Sequence, residues 1–321
     1  MSKGSFPRVP RRLGGTPLAV GLAVLVPAGL AGWLLWDGDG GSDDGAKRPV
    51  AASSSTRSSP SAPHPKPKPT VEPTRSPATG ATHSPAAEPS PGAPAATGPL
   101  SGKTVVVDPG HNIRNSRHTA EINRSVDIGT GRKECDTTGT STDAGYAEAE
   151  FSLDVAHRIR DILRKQGAKV TLTHDGDREW GPCVTERAEI GNKARADAAV
   201  SVHADGSAVG NRGFHVILPA QVKGGAADTS RIVGPSKALG ERIAGYFVRD
   251  TGSGPSNYIG GGTGLDTRGD LGGLNLSTVP KVFIECGNMR DPQDAGHLTD
   301  ADWREKAAQG IADGIADFLG G

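Results

Sequence analysis

Four ionisable residues of this chain lie beside predicted strands or helices in a pattern that could hold a metal ion. His111 and His203 each come shortly after an apolar run, Glu285 ends a third such run, and Glu150 lies in the first turn of a predicted helix. Two imidazoles and a carboxylate with one open position are the ligand set of a catalytic zinc site, and an additional unbound carboxylate suits proton transfer. There is no His-Glu-x-x-His motif, so spacing alone leaves ordinary buried or surface residues as the alternative.

The elements around these residues alternate between strands and helices. Apolar, β-branched runs predict strands at residues 104–108, 169–173, 198–202, 213–218 and 281–285. Amphipathic repeats predict helices at residues 147–166, 185–196, around 239–247 and over 303–319. This alternation predicts an α/β fold, with a single mostly parallel or mixed sheet and helices on both faces. Because parallel strands end at one edge of a sheet, we expect His111, His203 and Glu285 to meet at the carboxyl edge, where the zinc site would lie.

Four short segments of the sequence occur in the same order as the motifs of a known enzyme family. They are VVVDPGH at Val105–His111, EFSLDVA at Glu150–Ala156, ADAAVSVHAD at Ala196–Asp205 and PKVFIECG at Pro280–Gly287. Together they resemble the motifs of the zinc-dependent N-acetylmuramoyl-L-alanine amidases of type 3, a large family of bacterial cell-wall hydrolases. The version here looks most similar to the actinobacterial and mycobacterial members, and the resemblance spans about residues 102–319.

The resemblance gives roles to the four residues singled out above. The implied ligands of one zinc ion per domain are His111, Glu150 and His203, and the implied catalytic carboxylate is Glu285. Two departures from the family pattern concern substrate preference more than chemistry. Asn112 and Ile113 stand where the family usually has glycines, and Cys286–Met289 replaces the common Gly-Phe after the catalytic glutamate.

Two acidic residues, Glu148 and Glu150, compete for the ligand role at the start of the predicted helix. Acidic residues in a first turn are also favoured by the helix dipole alone, so position does not decide between them. The spacing to Leu153 and Ala156 matches the family pattern when Glu150 is the ligand. We therefore predict Glu150.

Asp108 and the other histidines have less specific settings. Asp108 could orient the ligand histidine through a hydrogen bond, or it could cap the Pro109-Gly110 turn, and the sequence does not separate these roles. No catalytic role is predicted for the histidines of residues 100–321 that lack a strand-end setting, which are His118, His157, His174, His215 and His297.

The chain has three cysteines, which allow three single pairings. Cys286 sits at the end of a predicted core strand, where a small buried residue is expected. Cys135 and Cys183 lie in predicted loops, Cys135 in the long loop between the first strand and the helix at 147–166. We predict a disulfide between these two cysteines that pins this long loop near the metal. Three free thiols are the alternative.

A glycine-rich region, Gly252–Gly273, is too long for a tight turn. It contains Asn257, Asp266 and Arg268, which could contact substrate if the region is a binding loop. A plain flexible connection explains the same composition.

The first 99 residues differ in composition from the rest. Residues 1–36 combine four basic residues with an uncharged run at 17–36, which predicts a cytoplasmic tail and a transmembrane anchor; a cleaved signal peptide is the alternative. Residues 37–99 hold 13 of the 24 prolines and predict a disordered linker that reaches on the order of 200 Å at ~3.1 Å per residue. Residues 100–321 form the predicted catalytic domain, which we expect to lie outside the membrane in the cell wall, or to be secreted.

Charge and composition narrow the choice of partners. Residues 100–321 contain 26 basic and 30 acidic residues, and this acidic excess argues against a nucleic-acid partner. The resemblance implies peptidoglycan as substrate and cleavage between the lactyl group of N-acetylmuramic acid and L-alanine of the stem peptide. The alternatives are a zinc carboxypeptidase or endopeptidase acting on the stem peptide, and a non-catalytic cell-wall-binding module. We expect the catalytic domain to be monomeric.

Overall fold

The computed structural model describes residues 97–320. Its strands are β1 Thr104–Pro109, β2 Ser125–Asp127, β3 Arg132–Glu134, β4 Lys169–Leu172, β5 Ala198–Asp205, β6 His215–Pro219, β7 Lys223–Gly224, β8 Ala227–Asp228, β9 Leu265–Arg268 and β10 Lys281–Asn288. Its α-helices are α1 Thr119–Ile122, α2 Glu148–Lys165, α3 Val184–Ala194, α4 Val233–Thr251, α5 Gly272–Asn275, α6 Pro292–Thr299 and α7 Ala301–Gly320.

Six strands form one mixed sheet in the order β4-β1-β5-β10-β6-β9. The strands β4, β1, β5 and β10 are parallel, and β6 pairs antiparallel with β10 before β9 pairs parallel with β6. The predicted fold class is therefore confirmed. The register sets Asp108 beside Ser201 and His203 beside Glu285.

The two faces of this sheet are covered differently. Helices α2, α4 and α7 pack on one face, where alternate residues such as Val107, Val200 and Ile284 join the main hydrophobic core. Helix α3 covers part of the other face over a small apolar cluster that includes Val106 and Ala199. Side chains of a strand alternate between faces, so the polar residues of β1, β5 and β10 fall on this second face. They include Asp108, Ser201, His203, Lys281 and Glu285.

Two regions predicted as loops contain regular structure. The segment between β1 and α2 holds a 3-10 turn at Asn115–Arg117, the helix α1 and the hairpin β2–β3. The region Gly252–Gly273 contains β9, the edge strand of the main sheet, and leads into α5. Short strands with few apolar residues give little sequence signal, because their pairing depends on the neighbouring strand.

The predicted anchor and linker, residues 1–36 and 37–99, lie almost wholly outside the described residues. Within residues 97–320, no helix is long and apolar enough to cross a membrane.

Cys135 and Cys183 are bonded to each other, as predicted, across a sequence separation of 48 residues. The bond joins the segment after β3 to the N-terminus of α3, and the backbone N–H of Val184 also donates to the carbonyl of Cys135 at 2.7 Å. Cys286 is a free, buried thiol. The disulfide therefore ties the long connection before α2 to the second face of the sheet.

We expect the double substitution Cys135→Ser and Cys183→Ser to lower the free energy of unfolding by up to about 4 kcal/mol, because the unfolded chain would regain the entropy of an open loop of this length. Guanidinium denaturation of the oxidised wild type and of the variant measures the difference. The wild type with its disulfide reduced is the control and should match the variant. An unchanged denaturation midpoint would contradict the prediction.

Candidate metal centre

Three side chains from three separate elements meet at the carboxyl edge of the sheet. Glu148 Oε1 lies 3.0 Å from His111 Nε2 and 2.8 Å from His203 Nδ1. One ligand atom from each residue lies within 4.8 Å of the others, which is compatible with a single metal ion. Glu148 starts α2, His111 follows β1, and His203 is part of β5. The expectation that both histidines converge is met.

The carboxylate in this cluster is Glu148, and the prediction of Glu150 is wrong. Helix α2 begins at Glu148, and its buried face includes Ser152, Val155 and Ile159 at helical spacing from that residue. Glu150, two positions on, is rotated by about 200° and is exposed. The periodicity of the apolar residues would have distinguished the two glutamates, whereas the family spacing to Leu153 pointed to the wrong one.

His111 is oriented by Thr137, a residue that sequence reasoning did not single out. Its Nδ1 lies 3.1 Å from both the carbonyl oxygen and the hydroxyl of Thr137. A proton on Nδ1 donated to the carbonyl leaves the lone pair of Nε2 facing Glu148. The backbone of His111 has φ of 61°, a left-handed conformation that non-glycine residues rarely adopt and that surrounding contacts must hold in place.

The ring of His203 is held between a glycine and an aromatic ring. A Cβ placed on Gly110 would lie 2.4 Å from His203 Cε1, so any side chain at position 110 would displace the imidazole. On its other side the ring stacks on Phe283, with centroids 5.2 Å apart. The glycine of the Pro109-Gly110 turn therefore makes room for a functional side chain.

Glu285 lies beside the cluster on β10, directly across from His203 in the register. Its Oε2 atom is buried and has no hydrogen-bond partner among the described residues. Burial raises the pKa of Glu285 well above its usual value, and the carboxylates of Glu148 and Asp205 raise the pKa further. The structure thus places a carboxyl group with raised proton affinity next to the three candidate ligands.

Within the cluster, Glu148 and His111 shift each other's pKa. Burial alone would raise the pKa of Glu148, but the charges and hydrogen bonds of His111 and His203 outweigh burial and lower it. Burial lowers the pKa of His111, yet Glu148 outweighs that effect and raises the pKa. Two backbone groups also hold Glu148: the N–H of Thr140 donates to Oε2 at 2.9 Å, and the N–H of Ala204 donates at 3.3 Å to Oε1, the oxygen that faces the histidines.

Asp108 does not touch the ring of His111, so a direct orienting hydrogen bond between them is absent. Its Oδ1 accepts from Thr173 and Arg187, and its Oδ2 accepts from Ser201 and Lys281. Burial would raise the pKa of Asp108, but the two cations lower it far below its usual value. Asp108 is the centre of a buried ion cluster beneath the metal centre.

Two adjoining cavities of about 220 and 380 Å³ open onto the cluster. Their shared walls include the two histidines, Leu271 and Phe283. Arg268 lines the larger cavity and forms a two-pronged ion pair with Asp270, and its contact with substrate stays a prediction. Asn257 and Asp266 are not among the lining residues; the side chain of Asn257 instead binds the backbone of Gly210 and Arg212.

The fold and site together define a mixed α/β domain with a His-Glu-His centre beside a buried carboxyl group. The model of the N-acetylmuramoyl-L-alanine amidase family matches residues 105–317. The Mycobacterium tuberculosis N-acetylmuramoyl-L-alanine amidase Rv3717 is 39% identical over 221 residues, which cover 68% of this chain and 88% of that protein. The chain therefore belongs to the N-acetylmuramoyl-L-alanine amidase family.

Solved structures agree with this assignment. The crystal structure of the N-acetylmuramyl-L-alanine amidase Ami1 from Mycobacterium smegmatis superposes with a TM-score of 0.63 at 39% identity, covering 70% of this chain and 99% of that one. The apo form of Ami1 from Mycobacterium abscessus gives a TM-score of 0.63 at 38% identity, covering 68% of this chain and 100% of that one. The expected similarity to mycobacterial members is thus confirmed.

Glu148→Gln and Glu150→Gln form a matched pair that tests the metal centre. We expect Glu148→Gln to weaken binding of zinc, used as the probe ion, by at least about 100-fold, because a direct ligand contributes no less than the supporting residues around it. Glu150→Gln should bind zinc like the wild type, since its side chain is exposed on the opposite side of the helix. Competition with a chelator measures both affinities. Equal weakening in the two variants, or weakening in Glu150→Gln alone, would refute the assignment.

Proposed function

We propose that this domain is a zinc-dependent peptidoglycan hydrolase that cleaves the amide bond between the lactyl group of N-acetylmuramic acid and L-alanine of the stem peptide. The observation that carries the proposal is the contact of one Glu148 oxygen with both His111 and His203, beside the buried carboxyl group of Glu285. Membership of the amidase family supports the choice of bond.

The residues present suit a zinc ion. Two imidazole nitrogens and one carboxylate oxygen that leave a further position open are a ligand set of catalytic zinc. The two contacts of Glu148 Oε1 are 3.0 and 2.8 Å, and one atom from each of the three residues lies within 4.8 Å of the others, so the three residues could hold a single ion together. Thr137 directs the lone pair of His111 Nε2 into the cluster, which is the usual task of residues around a metal site. When bound, zinc supplies Lewis-acid activation of water and of the scissile carbonyl.

Glu285 acts as the proton-transfer group in this proposal. Its Oε2 has no hydrogen-bond partner among residues 97–320 and is placed to accept a proton from the attacking water. The same carboxyl group then delivers the proton to the nitrogen of L-alanine as the amide bond breaks. The side chains of Phe283 and Leu271 line both cavities beside the site and give it an apolar wall.

The products of digestion test the reaction. Incubation of the protein with purified peptidoglycan, followed by mass spectrometry, should release stem peptides with a free N-terminal L-alanine and leave the glycan strands intact. Shortened stem peptides still attached to the glycan would indicate a carboxypeptidase or endopeptidase. Binding without any release would indicate a non-catalytic cell-wall module. Either result would overturn the proposal.

We expect Glu285→Gln to keep its fold and its zinc while its turnover falls by about 10²- to 10⁴-fold, the range for a positioned acid and base. A carboxamide has nearly the same size but cannot accept and return the proton. Release of stem peptide and zinc content per chain are the two measurements. Near-normal turnover would remove Glu285 from proton transfer, and loss of zinc would make it a ligand instead.

We also propose that the domain works outside the cytoplasmic membrane, tethered by the N-terminal segment. The Cys135–Cys183 disulfide supports this location, because such bonds persist in oxidising compartments. We expect external protease to digest the domain in intact protoplasts while the basic tail before residue 17 is protected. Protection of the whole chain until lysis would contradict this topology, and recovery of the domain in the medium would indicate a cleaved signal peptide.

A further inference from the structure

Arg187 of helix α3 lies directly beneath the metal centre and donates to five acceptors while it is only 5% exposed. Its donors reach the carboxylates of Asp108 at 2.8 Å and Asp136 at 3.0 Å. They also reach three backbone carbonyls, those of Pro109, His111 and Pro182. A planar guanidinium has five donor N–H groups, so this environment uses the group in full.

Two of these bonds reach the ligand His111 by separate routes. Arg187 Nη2 donates directly to the backbone carbonyl of His111 at 2.9 Å, at the residue whose φ is positive. The second route runs through Asp136, whose Oδ1 accepts from the backbone N–H of Thr137 at 2.8 Å. Thr137 in turn contacts His111 Nδ1. One side chain therefore restrains both the backbone of the histidine and the tautomer and direction of its ring.

Neutralising Asp108 does not by itself require an arginine at this position. Lys281 already lies 3.1 Å from Asp108 Oδ2, and Thr173 and Ser201 donate to the same carboxylate. An ammonium group at position 187 would preserve the charge, but it would offer only three donors from one point. The distinctive contribution of the guanidinium is its width, because its separate N–H groups reach Asp108, the backbone of His111 and Asp136 at the same time.

From these contacts we propose that Arg187 is a positioning residue of the metal centre, which sets the backbone and ring orientation of His111 for metal binding. The inference rests on the proposed zinc site. The competing account is that Arg187 only holds α3 against the sheet. Lys281 distinguishes the two, because it is equally buried and pairs with the same Asp108, yet no contact joins it to His111, Asp136 or Thr137.

The test compares Arg187→Lys with Lys281→Met in the full-length protein. Zinc affinity is measured by chelator competition, and the free energy of unfolding of the metal-free protein by guanidinium denaturation. We expect Arg187→Lys to bind zinc about 10- to 100-fold more weakly, the usual effect of losing a residue that orients a ligand. Lys281→Met should lose stability because Asp108 loses a partner, while its zinc affinity stays within about twofold of the wild type.

Two results would overturn the inference while the zinc site itself stands. One is wild-type zinc affinity in Arg187→Lys, and the other is equal weakening in both variants, which would indicate general loosening. Absence of zinc binding by the wild type would overturn the proposed site and the inference with it. If Arg187→Lys does not fold, Asp136→Asn tests the second route, since the amide of asparagine keeps the size of the carboxylate but not its charge. Unchanged zinc affinity in that variant would also count against the inference.

Discussion

The parallel pairing of β1, β5 and β10 is the constraint on which the rest of the site depends. The register places Asp108 beside Ser201 and His203 beside Glu285, so residues 93 and 82 positions apart in the sequence become neighbours at one edge. Alternation along each strand then divides the apolar side chains, which face α2, α4 and α7, from the polar ones. A slip of one residue in β10 would turn Glu285 into the hydrophobic core.

The second face of the sheet carries an unusual density of buried charge. Asp108, Arg187, Lys281 and Asp136 are each at most 5% exposed, and each has a charged partner within about hydrogen-bond distance. Removing one partner from a buried ion pair costs on the order of 3–5 kcal/mol, because the other charge is left unpaired. Such a cluster stabilises the domain little in itself. It does hold the carboxyl end of β1, the disulfide-bonded segment and α3 in one arrangement.

The candidate metal centre draws its order from the backbone as much as from side chains. Gly110 lets the ring of His203 lie against the main chain, and the left-handed backbone of His111 turns its ring toward Glu148. The N–H of Thr140 and the carbonyl of Thr137 hold the outer atoms of Glu148 and His111. Candidate ligand atoms fixed in this way would need little rearrangement to bind an ion, which would favour affinity.

Much of this protein follows from its sequence. Apolar runs and amphipathic periods predicted the strands and helices that carry the site, and the strand-end positions predicted that His111, His203 and Glu285 would meet. These signals are local, since each depends on the side-chain pattern of one element. The disulfide was also predictable, because only two of the three cysteines lie outside the core strands.

The choice between Glu148 and Glu150 lies between what the sequence determines and what only the tertiary structure decides. The periodicity of the buried residues of α2 favours Glu148, whereas the family spacing to Leu153 and Ala156 favours Glu150. The short strands β2, β3 and β9 were missed, since their few residues become strands only beside a partner. The tertiary structure alone decided the contacts of Thr137 with His111, the role of Asp108 as an ion-pair centre and the reach of Arg187 to His111 and Asp136. These interactions join segments dozens of residues apart, and their geometry arises only when the sheet, α3 and the disulfide-bonded segment pack together.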